Sequence, residues 1–339
     1  MFENSSNSFI KKHLSKDIFD KLKTKKTKSG FTLYHAIKSG IENPDSSVGI
    51  YAGDKETYEE FFEIFNPVIS DYHSFKLTNF HKSDFSVPDL SNPDPEKKYI
   101  ISTRIRVARN LEKLPFTTNT SLKERKEVEK KAVKAFELLD NDLSGNFFSF
   151  KTISDSQQRS FSQNHIGFNK GDRFQESAGI NRDWPDARGI FISNNENFIV
   201  WINEEDHLRV ISMQKNGDIS ETFNRLSRGI AILEKNLKFA FDDHLGYLTA
   251  CPSNLGTAMR ASVHIRLPNL QKKKNLLEDI AEKYNLQIRG THGEKTEVKG
   301  AVFDISNRQR LGITEKECIK ALHKGICTIV NLEKALPPL

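Results

Sequence analysis

Three prolines, Pro88, Pro93 and Pro95, sit among serine, aspartate and asparagine in residues 84–98 and divide this chain of 339 residues. Proline fixes φ and lacks the N–H that a helix interior or central strand requires, so no regular element runs through such a stretch. A linker is therefore expected over 84–98, with a helical N-terminal domain over 1–83 and a second domain over 99–339. Ahead of the linker the pattern is helical. Residues 55–65 bring Tyr58, Phe61, Phe62 and Phe65 onto one apolar face.

Beyond the linker, strands and helices mix. Residues 99–107 alternate, with Ser102, Arg104 and Arg106 on one face and Ile101, Thr103 and Ile105 on the other. Gly189–Ser193 and residues 198–203 flank Asn194 to Asn197, a hairpin signal, and residues 208–213 run toward the turn dipeptide Asn216-Gly217. Residues 263–267 and 301–305 add two further strands. Ser121 with Glu124, and Thr314 with Glu317, are capping boxes that open helices, and Ser220 reads as the cap of another. The expected fold class is α+β: a small all-α N-terminal domain followed by a larger domain with an antiparallel β-sheet flanked by helices.

Composition excludes several functions. The 51 basic residues face 45 acidic ones, and the densest basic run, Lys21 to Lys28, has no interleaved aromatics, so no nucleic-acid partner is expected. No apolar run is long enough to span a membrane, and the N-terminus shows no secretory pattern, so a cytoplasmic protein is expected. Three cysteines, Cys251, Cys318 and Cys327, are too few and too unevenly spaced for a disulfide framework or a thiolate zinc cage. The histidines show no metalloprotease spacing, and no protein-held metal is expected. Neither of the common glycine-rich phosphate loops occurs.

Phosphates would need another holder, and arginines at element edges supply one. Arg104 and Arg106 share a strand face, Arg209 follows an acidic triplet, Arg260 stands just before a strand, and Arg289 opens a glycine-containing loop. Each offers a permanent, forked cation suited to a polyanion; taken singly, each reads as a surface ion pair. Acids sit in the same neighbourhoods: Glu205 just past a strand and Glu294 in the loop after Arg289. Cys251 opens the run Cys-Pro-Ser-Asn-Leu-Gly-Thr, which ends near Arg260.

Together these segments resemble the ATP:guanido phosphotransferases, or phosphagen kinases, and most closely the arginine kinase branch. The resemblance is carried by residues 100–106 (Ile-Ile-Ser-Thr-Arg-Ile-Arg), 203–209 (Asn-Glu-Glu-Asp-His-Leu-Arg), 251–257, 289–294 and 303–307, in order along nearly the whole chain. It implies reversible transfer of the ATP γ-phosphoryl group to a guanidino nitrogen. It implies that Ser102, Arg104, Arg106, His165, Arg209, Arg260, His264 and Arg289 bind the nucleotide, with Mg2+ arriving as Mg-ATP. Glu205 and Glu294 would grip and align the guanidinium, and Cys251, as a thiolate, would tune it electrostatically.

The resemblance further implies a substrate-specificity loop at Ser46, Ser47, Val48, Gly49 and Tyr51, and a pair, Asp45 with Arg173, bridging that loop to the nucleotide domain. Tyr72 also resembles the arginine kinases, so ATP or ADP and L-arginine are the expected partners. Ser47, Val107-Ala108, His292 and Lys295 depart from the usual pattern without removing a catalytic group. Alternatives are another guanidine (taurocyamine, lombricine or creatine), protein arginine side chains, or a catalytically silent nucleotide-binding protein. Members occur as monomers and as assemblies, so the resemblance implies no oligomeric state.

Overall fold

The computed structural model describes residues 2–3, 5–164, 166–290 and 300–337. His165, His292, Glu294 and Lys295 lie outside the described residues. Among the described residues the N-terminal part holds five helices: α1 (Phe9–His13), α2 (Lys16–Leu22), α3 (Leu33–Glu42), α4 (Lys55–Glu60) and α5 (Phe62–His73). Ser8, Ser15, Thr32 and Asp54 cap the first four by accepting a backbone N–H, each contributing on the order of 1 kcal/mol. The helix expected over 55–65 is two helices. The chain leaves helical dihedrals at Phe61, φ −111°, which resets the phase, so Tyr58, Phe61 and Phe65 are buried while Phe62 is 48% exposed.

The core of these helices does not stop at the linker. Ile10, Phe31, Ile37, Phe61 and Phe65 pack with Phe116, Ala240, Leu248, Ala250, Cys251 and Leu255 from the larger part. Full burial of each large side chain contributes about 1.5–3 kcal/mol, so the two parts share a substantial stabilising interface. Residues 84–98 carry no helix or strand, yet they are tied down. Asp84 N–H donates to Glu315 at 2.8 Å, Ser220 to the Pro88 carbonyl at 2.9 Å and His323 to the Ser91 carbonyl at 2.7 Å.

The larger part is built on β1 (Ile100–Arg109), β2 (Gly145–Ser149), β3 (Gly189–Ser193), β4 (Phe198–Ile202), β5 (Leu208–Lys215), the two-residue strands β6 (Phe241–Asp242) and β7 (Gly246–Tyr247), β8 (Met259–Arg266), β9 (Leu286–Gly290) and β10 (Val302–Asn307). Eight of them form one antiparallel sheet in the order β2-β3-β4-β5-β1-β8-β10-β9. Helices α6 (Leu122–Phe136), α7 (Asp155–Gln163), α8 (Arg173–Ser177), α9 (Ile219–Glu234), α10 (Lys274–Lys283) and α11 (Glu315–Ala335) complete the chain. α9, α10 and α11 lay their apolar stripes, among them Phe223, Leu226, Leu277, Ile319 and Ile326, against one face of the sheet.

Four local expectations change. A register shift between Ile100 and Ser102 turns Ile101 outward, to 44% exposure, while Thr103 and Ile105 stay buried. Arg260 lies inside β8, which begins four residues earlier than its apolar run, and Arg289 lies inside β9, not in a loop. The cap of α9 is Asp218, whose carboxylate accepts the Glu221 N–H at 2.9 Å; the Ser220 hydroxyl is committed to Pro88.

Candidate active site

The sheet register gathers the arginines. Residues directly opposite in an antiparallel pair share a face, and Arg106 stands opposite Arg260, Ser102 opposite His264, Ala108 opposite Arg209, and Asp304 opposite both His264 and Arg289. Five arginines from four strands thus point away from the covering helices. Arg104 and Arg209 lie over the Trp201 ring, 5.4 and 5.8 Å from its centroid. Arg106, Arg209 and Arg260 line one small cavity with Asn254 and Arg310.

This face is short of negative charge. Arg260 pairs with Asp304 at 2.6 Å, but Arg104 Nε and Nη2 and Arg260 Nε are buried with no hydrogen-bond partner among the described residues. Burial, then the charges of Arg209 and Arg260, lowers the Arg104 pKa to about 10; burial and the charges of Arg209 and Arg104 push Arg106 down in the same way. An unmet buried donor costs about 1–3 kcal/mol. A polyanion would satisfy these donors and relieve the repulsion at once.

The acids come from the hairpin turn between β4 and β5. Asn203 takes a left-handed φ of +54° and donates its side-chain amide to the Arg125 and Ala187 carbonyls, while its N–H bonds the His207 carbonyl. His207 accepts the Leu111 N–H on Nδ1 at 3.0 Å and donates Nε2–H to Pro115 at 2.8 Å, so its neighbours set its tautomer. The turn therefore presents Glu205 rigidly. Arg209 Nη2 lies 2.9 Å from Glu205 and 3.0 Å from Glu204. Burial raises the Glu205 pKa against the pull of Arg209, with Glu204 adding to the rise. Asp206 is raised too, by burial first and Glu205 second, although its Oδ1 accepts from Asn110 and the Ala250 N–H.

Cys251 opens a tight turn, Pro252–Asn254, beside Glu205. Asn254 Nδ2 lies 3.4 Å from Glu205, and Gly256 at φ +92° passes so close to the chain that a Cβ there would meet the Arg310 carbonyl at 2.2 Å. Burial first, then the Glu205 charge, pushes the Cys251 thiol up to about 12, against a 3.0 Å contact with the Ser253 hydroxyl. Low dielectric and an adjacent carboxylate both oppose a second negative charge here, so the ligand-free structure favours the thiol over the thiolate expected from the sequence. Alkylation of Cys251 in the ligand-free enzyme is expected to speed up about tenfold per pH unit from pH 7 to 10 without a plateau. A plateau near pH 8, followed by mass spectrometry of the Cys251 peptide, would refute this.

The loop at residues 46–51 faces the same region. Gly49, at φ +75°, packs on Gly40, where a Cβ would meet the Gly49 carbonyl at 2.4 Å. The Ser47 and Val48 carbonyls accept the Phe9 and Ile10 N–H groups, and Ser46 N–H bonds Asn43. Tyr51 is buried, and the pKa of its hydroxyl is raised well above the usual value by burial, then by Cys251 and Glu205. Asp45 and Arg173 meet in an ion pair, both largely exposed, and Arg173 Nη1 reaches Asn43 at 3.3 Å.

Sequence reading missed Arg310, Asn254, Asp206 and Asn110. Arg310 clamps the cysteine turn through the Ser253 carbonyl and Asn254 Oδ1, both at 2.8 Å. Asp206 and Asn254, each inside a quoted run, carried a signal; Asn110 and Arg310 carried none. Among the described residues no group of three or more His, Cys, Asp or Glu side chains is placed to hold a metal ion, and no helix is long and apolar enough to cross a membrane.

Residues 4–70 match the family model for the ATP:guanido phosphotransferase N-terminal domain, and residues 127–336 match that for the C-terminal catalytic domain. The chain is 47% identical to the arginine kinase of Limulus polyphemus over 331 residues, covering 97% of this chain and 93% of that one. It is 47% identical to the arginine kinase of Penaeus japonicus over 332 residues, covering 97% and 94%. Among solved structures, lombricine kinase superposes with a TM-score of 0.93 at 36% identity over 98% of this chain and 93% of that chain. The substrate-free duplicated taurocyamine kinase of Schistosoma mansoni gives a TM-score of 0.92 at 38% identity over 98% of this chain; the chain spans 48% of that longer protein. With both of its parts matched in order and both carrying the residues described above, this chain belongs to the ATP:guanido phosphotransferase family.

Proposed function

We propose that this protein transfers the γ-phosphoryl group of Mg-ATP reversibly to the guanidino nitrogen of L-arginine, giving phosphoarginine and ADP. The observation that carries this reading is the arginine-lined sheet face with unmet donors, set against a rigid turn that presents Glu205. Ser102, Arg104, Arg106, Arg209, Arg260, His264 and Arg289 would hold the nucleotide, joined by His165. Magnesium belongs to the substrate, bound through phosphate oxygens and water.

A protonated guanidinium has no lone pair aimed at phosphorus. Glu205, joined by Glu294, would grip its N–H groups and hold one nitrogen in line with the γ-phosphorus. As the N–P bond forms and the bond from phosphorus to the ADP oxygen breaks, the guanidinium proton passes to a carboxylate. The raised pKa of Glu205 suits that acceptor. The arginines would take up the charge that spreads over the transferring group and the departing ADP. The neutral Cys251 thiol lies beside Glu205, and arrival of a guanidinium there would lower its pKa.

The loop of Ser46, Ser47, Val48, Gly49 and Tyr51 would receive the amino-acid end of the substrate. Identity of 47% to proteins named arginine kinase, against 36% and 38% to lombricine kinase and taurocyamine kinase, supports L-arginine as the acceptor. On this reading residues 1–83 supply guanidine specificity and residues 99–339 bind ATP, with 84–98 between them. Three free cysteines suit a reducing cytosol. ADP release from Mg-ATP is to be measured with L-arginine, creatine, taurocyamine, lombricine and an arginine-rich protein as separate acceptors. Turnover with free L-arginine is expected; turnover with another acceptor in its place, or none, would displace it.

A further inference from the structure

The backbone around Cys251 is gripped from the helical domain at three points. The Tyr58 hydroxyl of α4 donates to the Thr249 carbonyl at 2.7 Å. The Ala52 N–H, one residue past Tyr51, donates to the Ala250 carbonyl at 2.7 Å. His73 Nε2–H, at the last residue of α5, donates to the Pro252 carbonyl at 2.8 Å. The Cys251 carbonyl is satisfied inside its own turn, by the Thr249 hydroxyl and the Asn254 N–H. Thus the carbonyls on both sides of the cysteine are fixed by donors from residues 52–73.

Packing points the same way. Leu248, Ala250, Cys251 and Leu255 belong to the core of the helical domain, whereas the neighbouring strand residues Met259, Ala261 and Val263 belong to the core of the sheet. On the far side, the Ala250 N–H reaches Asp206 and Arg310 reaches the Ser253 carbonyl. Tyr58 is buried, so its bond does not compete with bulk water, and His73 is half-buried at the end of α5. Burial, partly offset by the bond to Pro252, lowers the His73 pKa to about 4, and the imidazole is a neutral donor at neutral pH.

We propose that Tyr58 and His73 are positioning residues that fasten the Cys251 turn to the helical domain, so that the placement of the thiol is set from the side of the specificity loop. The catalytic consequence rests on the proposed guanidine reading; the fastening itself does not.

The test compares full-length wild type with Tyr58→Phe, His73→Ala and His73→Gln. The rate of Cys251 alkylation by iodoacetamide is read on its own peptide in the substrate-free enzyme, alongside KM for L-arginine, KM for ATP and Tm. Loss of one ordinary hydrogen bond is expected to speed alkylation about fivefold in Tyr58→Phe and His73→Ala. His73→Gln, whose amide can still donate, is expected to stay within about twofold of wild type. KM for L-arginine should rise about fivefold in the first two variants while KM for ATP stays within about twofold. A lowered Tm with alkylation and both KM values unchanged would mean a merely structural role and overturn the proposal. An equal rise in both KM values would overturn it too. If the enzyme proves inactive toward every guanidine, the function reading fails, and the alkylation series alone still decides: acceleration supports the fastening and an unchanged rate refutes it.

Discussion

Glu205→Gln is expected to lower kcat by about 10³-fold, the loss typical of removing a catalytic acid–base group, while KM for ATP changes little. Glutamine keeps the shape and one acceptor oxygen but loses the charge that grips a guanidinium and the basicity that takes its proton. Arg209 retains Glu204 at 3.0 Å, so the turn keeps an ionic anchor and the fold should hold. The pH profile adds a second readout. Activity needs the carboxylate, so the wild-type rate rises with pH as Glu205 loses its proton, and burial shifts that acid limb upward from where an exposed glutamate would put it. The glutamine variant should lack the limb. Steady-state kinetics from pH 5 to 9, with a thermal melt as control, check both. A loss under tenfold, or a retained limb, would remove Glu205 from the chemistry.

Arg209→Ala should cost at least as much, about 10³-fold or more in kcat/KM for ATP, as expected for a cation that stabilises a transferring phosphoryl group. Two effects combine here. The arginine-lined face loses its member nearest the acids, and Glu205 and Glu204 lose the cation 2.9 and 3.0 Å away. The second effect has a definite sign. Without Arg209, burial and mutual repulsion raise the Glu205 pKa further, so the acid limb moves to higher pH. Arg209→Lys separates the two effects. It restores charge, and with it part of the shift in the limb, but a point charge cannot span two carboxylates and a phosphate as a fork does. Full rescue by lysine would show that geometry is unimportant at this position. An unchanged kcat/KM in the alanine variant would take Arg209 out of the nucleotide site.

The architecture and most of the site could be read along the chain because their signals are local. Alternation in residues 99–107 placed Arg104 and Arg106 on one face, capping boxes placed α6 and α11, and prolines marked the break at 84–98. Where local phase was disturbed, the reading slipped. The break at Phe61 turned Phe62 outward, the bulge after Ile100 exposed Ile101, β2 (Gly-Asn-Phe-Phe-Ser) has no alternation, and the alternation of β9 (Leu-Gln-Ile-Arg-Gly) covers too few residues to stand out.

Composition and order along the chain determined which groups are present: Arg104, Arg106, Arg209, Arg260 and Arg289, the Glu204-Glu205-Asp206 triplet, the cysteine run and two chain segments of different texture. The fold decided which of these meet and in what charge state. Strand register brings Arg106 opposite Arg260 and Asp304 opposite Arg289, a pairing between residues far apart in sequence that no local pattern encodes. Burial depends on what packs above a group. The sequence could therefore name Cys251 but could not state that desolvation and Glu205 hold it as a thiol, nor that Tyr58 and His73 reach across to hold its backbone. Identity is a property of the chain, whereas proximity and desolvation arise only when the tertiary structure closes around it.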